Sequence, residues 1–174
     1  VVVYQPRKKR RTVDNDDLEE LQNKSTSSEH KSSTSNNMSA HELIRIAQSF
    51  EKDGIKTVYP GLESHPSHKI FSKMMNETYG YGGMVTIDVG SLKKANMLME
   101  KMQEKNLGYL AVSLGFYKTL FCAPGSSTSS EISDEEQEKM GLSEGLIRFS
   151  VGLDQDIERT YIGIKKCLKE FKLI

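Results

Sequence analysis

The sequence predicts an α+β domain over residues 39–174, a small, largely antiparallel sheet with helices packed on one face, preceded by a disordered tail over residues 1–38. Three observations carry this prediction. Helical and alternating hydrophobic periods follow one another in a mixed order: helix, strand, helix, strand, helix, two strands, helix, strand, helix. Capping residues fall at the ends of the helical stretches. The tract Asn23 to Asn37 holds Ser, Thr, Asn and Lys but no large apolar side chain that could join a core.

The tail begins with Val1-Val2-Val3-Tyr4, too short for a signal peptide. Arg7-Lys8-Lys9-Arg10-Arg11 follows, and then acidic Asp14, Asp16, Asp17, Glu19 and Glu20. So polar a segment buries too little surface to offset its ordering entropy. The basic block resembles a nuclear-import or polyanion-binding patch, and a solvated tail is the simpler reading.

Ser39 and Glu42 have the spacing of a capping box. Leu43, Ile46, Ala47 and Phe50 then share one helical face, and Gly54 supplies the stop. Ile55–Tyr59 is a short strand ended by Pro60-Gly61. Residues 66–77 form a weaker helix with Ile70, Phe71, Met74 and Met75 as its inner face. The glycines of Tyr79-Gly80-Tyr81-Gly82-Gly83 permit a tight turn into the strand Met84–Val89. Ser91 caps a helix with Leu92, Ala95, Met99 and Met102 inward, Met97 is read with them as a core filler, and Asn106-Leu107-Gly108 closes it.

Tyr109–Ser113 and Thr119–Cys122 are strands. Ser133 with Glu136 offers a second capping box, and Gly145–Gly152 is a strand. Asp154 caps a last helix with Ile157, Tyr161, Ile164, Leu168 and Phe171 inward.

Composition excludes several functions. The 24 Lys+Arg balance the 24 Asp+Glu, so no global field favours nucleic acid. No run of about 18 apolar residues exists to span a membrane. Cys122 and Cys167 are too few for a disulfide framework or a zinc site and read as buried thiols of a reducing compartment. The expected location is the cytoplasm, with nuclear import left open by residues 7–11.

Arg148 is the residue that points to chemistry. It lies in Gly145-Leu146-Ile147-Arg148-Phe149-Ser150-Val151-Gly152, an apolar strand in which a permanently ionised side chain is expensive to hide. A guanidinium so placed usually has an anion to hold, because its planar fork matches a carboxylate with two parallel hydrogen bonds. Other candidates are weaker. Ser126-Ser127-Thr128-Ser129-Ser130 beside Gly125 could hold an anion, or be only a Ser-rich loop. His65 and His68 have no third metal ligand nearby in sequence, and Pro66 between them reads as a helix start.

Four landmarks stand in order: Val58-Tyr59-Pro60-Gly61-Leu62 with Ser64-His65-Pro66 and His68, then Gly80-Tyr81-Gly82-Gly83-Met84, then Val112-Ser113-Leu114-Gly115, then Gly141 through Leu153 with Arg148 inside. With them, residues 39 to 172 resemble the C-terminal domain of the Cys/Met-metabolism (trans-sulfuration) family of pyridoxal-phosphate enzymes, nearest in motif to its methionine γ-lyase branch. The resemblance implies the C-terminal domain of an aspartate-aminotransferase-type fold. It implies pyridoxal 5′-phosphate as cofactor and a sulfur amino acid as substrate. Arg148 then binds the substrate α-carboxylate, with Ser113 helping to hold that group. Such an anchor lets the Cα–H bond stand perpendicular to the cofactor ring.

Val112 stands where enzymes acting on cystathionine often carry a glutamate. Its apolar side chain suits a substrate ending in an uncharged thioether, or it is simple strand packing. The loop Ala123–Ser130 departs from the family's His-Pro-Ala-Ser-x-Thr-His pattern, leaving Thr128 as its substrate-side candidate. The family's Schiff-base lysine and cofactor-gripping residues lie upstream of the resembling region, and nothing in residues 1–38 matches them. The chain is therefore expected to carry no catalytic or cofactor-binding residue of its own, and to act in a carbon–sulfur lyase only when completed by a large pyridoxal-phosphate domain or a full-length subunit. The alternatives are a truncated, non-catalytic paralogue serving as an interaction subunit, and a polyanion-binding adaptor using residues 7–11.

Overall fold

The computed structural model describes residues 40–75, 80–153 and 156–174. The tail, Ser39, Tyr79 and Asp154 lie outside the described residues. The elements are α1 (Ala40–Lys52), β1 (Lys56–Val58), α2 (His68–Met74), β2 (Met84–Asp88), α3 (Leu92–Glu104), β3 (Tyr109–Leu110), β4 (Leu120–Cys122), α4 (Asp134–Lys139), β5 (Leu146–Ser150) and α5 (Ile157–Glu170). The predicted α+β order is the observed one.

The five strands form one sheet in the order β1-β2-β5-β4-β3. Every pairing is antiparallel except β3 with β4. Strand alternation sends Ile147 and Phe149 to one face of β5 and Leu146, Arg148 and Ser150 to the other. The first face carries the core. Ile87, Phe121, Ile147 and Phe149 meet Ile46 and Phe50 of α1, Leu98, Met99 and Met102 of α3, and Tyr161, Ile164 and Leu168 of α5. Ion pairs fasten α1 to α5 at its rim, Arg45 to Glu158 and Asp53 to Lys165, the latter at 2.6 Å.

One C-terminal device recurs. In α1, Gly54 N–H donates to the Glu51 carbonyl and Ile55 N–H to Phe50, with Gly54 left-handed at φ +83°. The same double bond closes α3 through Asn106, α4 through Gly141 and α5 through Lys172, all at positive φ. At the N-termini, Ser91 and Ser133 accept from Lys94 and Glu136 as their spacing predicts. The last helix is capped by Asp156, which accepts from the Arg159 N–H.

Three expectations are corrected. Helix α2 buries none of its residues, and Ile70, Phe71 and Met74 are exposed, Met74 to 81%. Met97 is exposed while Met99 and Met102 fill the core. The strand predicted over Tyr109–Ser113 ends at Leu110, although Ala111 N–H still donates to the Phe121 carbonyl at 3.1 Å. Beyond it, the carbonyls of Val112 and Ser113 turn to a side-chain donor instead of a ladder. Among the described residues, no helix is long and apolar enough to cross a membrane.

Candidate functional site

Arg148 sits at the middle of the central strand, paired with Thr86 of β2 and Cys122 of β4, on the face away from the three long helices. Its Nη2 donates to the Val112 carbonyl at 2.8 Å and to the Ser113 carbonyl at 3.4 Å. Its Nε is buried and has no hydrogen-bond partner. An unmatched guanidinium N–H out of water is costly, and an incoming carboxylate would satisfy it.

The loop that receives Arg148 is tied to β5 and to the residues after it. Gly115 N–H donates to the Ser150 hydroxyl at 3.1 Å, and Gly152 N–H donates to the Thr119 hydroxyl at 3.1 Å. Gly152 has no room for a side chain: a Cβ there would lie 2.3 Å from the Lys118 carbonyl carbon. Gly152→Ala must therefore displace backbone, and should destabilise the domain by roughly 1–3 kcal/mol, the usual range for overpacking. Urea unfolding measures this, and an unchanged midpoint would show that the crossing is looser than described.

The sequence-predicted residues divide here. Arg148, Val112 and Ser113 come together, although the contact runs through the two backbone carbonyls. The side chains of Val112 and Ser113 are exposed, Val112 to 54%. Thr128 is exposed in the turn that follows Pro124 and does not join the arginine's hydrogen bonds. Around it, the Ser126 and Ser127 hydroxyls donate to the Ala123 carbonyl, and Gln137 Nε2 donates to Ser129 and Ile132.

Sequence reading passed over Ser150 and Thr119. Ser150 had a signal: it is polar, two residues from Arg148 on one strand, and so on the same face. Thr119 had none, because its partner is a backbone N–H distant in sequence.

The remaining polar groups support the frame. Burial pushes Asp88 upward, but approach of the Ser143 hydroxyl, the Gly90 N–H at 2.9 Å and Lys56 at 3.6 Å hold its carboxyl below the usual range. The Ser143 hydroxyl is itself buried and falls short of normal hydrogen-bond geometry. Tyr59 is fully buried, donates to the Gly82 carbonyl at 3.0 Å, and is pushed up to about 12 by burial and by Tyr81. His68 Nδ1 lies 2.8 Å from the Pro60 carbonyl, which only a protonated Nδ1 can serve, and its ring stacks on Tyr81. His65 Nδ1 accepts from the Ser67 N–H. Among the described residues, no three His, Cys, Asp or Glu side chains converge on a metal position. Both cysteines are free and buried, and burial raises the Cys167 thiol.

Residues 35–161 match the model of the Cys/Met metabolism PLP-dependent enzyme family. The chain belongs to that family. It is 44% identical over 128 residues to methionine gamma-lyase of Arabidopsis thaliana, covering 73% of this chain and 29% of that enzyme. The solved structure of yeast cystathionine gamma-lyase aligns with a TM-score of 0.69 at 28% identity, covering 76% of this chain and 34% of that one. A Campylobacter jejuni protein provisionally assigned as an O-acetylhomoserine (thiol)-lyase, solved with N′-pyridoxyl-lysine-5′-monophosphate, aligns at 0.65 and 28% identity, covering 75% and 31%. The chain thus spans about a third or less of each of these relatives.

Pyridoxal phosphate is the family's cofactor, and its metabolism is that of sulfur amino acids. The donors gathered at Arg148 suit the carboxylate of an amino acid. Among the described residues the group consists of the Arg148 guanidinium and the two loop carbonyls it serves.

Proposed function

We propose that residues 40–174 form the substrate-carboxylate-binding domain of a carbon–sulfur lyase acting on sulfur amino acids, of the methionine γ-lyase kind. The buried, unpartnered Nε of Arg148 carries this reading. The two loop carbonyls on Nη2 hold the guanidinium in one orientation and leave the rest of the fork for an anion. A carboxylate there would complete a charge-assisted pair and fix the amino acid in one pose, which removes orientational freedom before any bond is broken. Ser113 borders the anchor and helps to hold the same group. Val112 presents an apolar, exposed side chain beside it, in keeping with an uncharged thioether substrate.

The reacting lysine and the grip on the cofactor belong to a large domain or a full-length subunit that works with this one. Borohydride reduction tests the arrangement. The protein is isolated from its source together with whatever copurifies, reduced, digested and searched by mass spectrometry for pyridoxyl-lysine. Label on a lysine outside residues 40–174, in the same or an associated polypeptide, is the expected result. No label anywhere would favour a non-catalytic interaction subunit. Label on a lysine within residues 40–174 would overturn the division of labour.

A further inference from the structure

We infer that Ser150 is a positioning residue for the substrate carboxylate, holding the 112–115 loop so that the loop can hold Arg148. This rests on the function proposed above. Ser150 is 6% exposed at the end of β5, on the same face as Arg148 two residues earlier. A hydroxyl buried in an otherwise apolar strand is costly unless it is paired. Its partner is the N–H of Gly115.

Gly115 turns the loop with φ +67°, a conformation that glycine alone adopts freely. Immediately before it, the carbonyls of Val112 and Ser113 receive Arg148 Nη2. Strand β5 therefore grips the loop twice, once as acceptor through Ser150 and once as donor through Arg148.

Little else holds this loop in place. Every side chain from Val112 to Tyr117 is exposed, and Phe116 meets the ring of Tyr109 with centroids 6.3 Å apart, so little apolar burial fixes the loop's height above the sheet. Its ends are set by the Ala111 N–H on the Phe121 carbonyl and by the Thr119 hydroxyl on Gly152 N–H. Between them Val112–Gly115 is held by Arg148 on two carbonyls and by Ser150 on the Gly115 N–H. If that bond is lost, the two carbonyls drift and the guanidinium regains rotational freedom. Substrate binding must then restrain it, which weakens ground-state and transition-state binding alike.

In the assembled, cofactor-loaded enzyme, Ser150→Ala is expected to raise KM for the amino acid about five- to tenfold, the scale of one hydrogen bond, with kcat within about twofold. Ser150→Thr keeps the acceptor and is expected to restore KM. In an Arg148→Ala background, Ser150→Ala should add nothing, because the group it acts through is gone; additive losses would overturn the proposal.

Amide hydrogen exchange supplies a readout independent of turnover. In the unaltered protein Gly115 should exchange more slowly than Leu114 and Phe116, and Ser150→Ala should abolish that difference. A Gly115 amide exchanging as fast as its neighbours in the unaltered protein would overturn the proposal, even were the alanine variant unable to fold. Unchanged kinetics in Arg148→Ala, with Gly115 still protected, would instead remove the functional reading beneath it.

Discussion

Arg148→Ala in the assembled enzyme is expected to lower kcat/KM for a sulfur amino acid by about 30- to 900-fold, from loss of roughly 2–4 kcal/mol of charge-assisted binding. The loss should appear mainly in KM, because a carboxylate anchored as proposed would be held in both the ground state and the transition state. Arg148→Lys should fall between: it keeps the charge but not the fork, and it cannot serve the two loop carbonyls and an anion with one planar group. Folding should suffer little, since the segment relieved of its donor carries only exposed side chains. Steady-state kinetics beside a thermal melt separate the two effects. A normal kcat/KM in the alanine variant would remove the arginine from the site.

Phe121→Ala is expected to do the opposite, costing stability and leaving the anchor's chemistry intact wherever the domain stays folded. Phe121 is 1% exposed, lies among the helix-side core of the sheet and meets Phe149 of β5 with ring centroids 6.1 Å apart. Truncating a buried phenylalanine costs about 3–5 kcal/mol, through lost transfer energy and the void left behind. In a domain stable by about 5–15 kcal/mol, that is a large part of the whole. The melting temperature should fall by about 6–20 °C. A fall below about 3 °C would mean that the neighbouring side chains collapse into the vacated space.

Much of this frame was legible in the sequence because it follows from periodicity and capping, which are local. Ile147 and Phe149 alternate with Arg148, and that spacing alone assigns the arginine to the face away from the core. Ser91, Gly54 and Asn106 announce helix ends through their own backbone preferences. Failures arose where the deciding partner is distant. Ile70, Phe71 and Met74 form an apolar helical face, but periodicity shows that a face exists and not that anything covers it. Ala111–Ser113 has strand-like composition, yet its carbonyls are drawn away by a side chain 35 and 36 residues later.

The site was legible in part for the same reason. Arg148 shows itself as a charge in an apolar run. Its attachment to the backbone of Val112 and Ser113, and the tie from Ser150 to Gly115, exist only once the sheet is assembled.

The place of β5 also has a consequence for how the chain is made. It is the last strand to leave the ribosome among the described residues, yet it is the middle strand of the sheet. Until it arrives, β1–β2 and β4–β3 are separate two-stranded pieces, each with an inner edge of unpaired N–H and C=O groups. Both edges close on β5, β2 along all five of its residues and β4 along Arg148, Phe149 and Ser150. Completion of the sheet and placement of Arg148 against the Val112 and Ser113 carbonyls are thus one event, so a nascent chain stalled before Leu146 has neither.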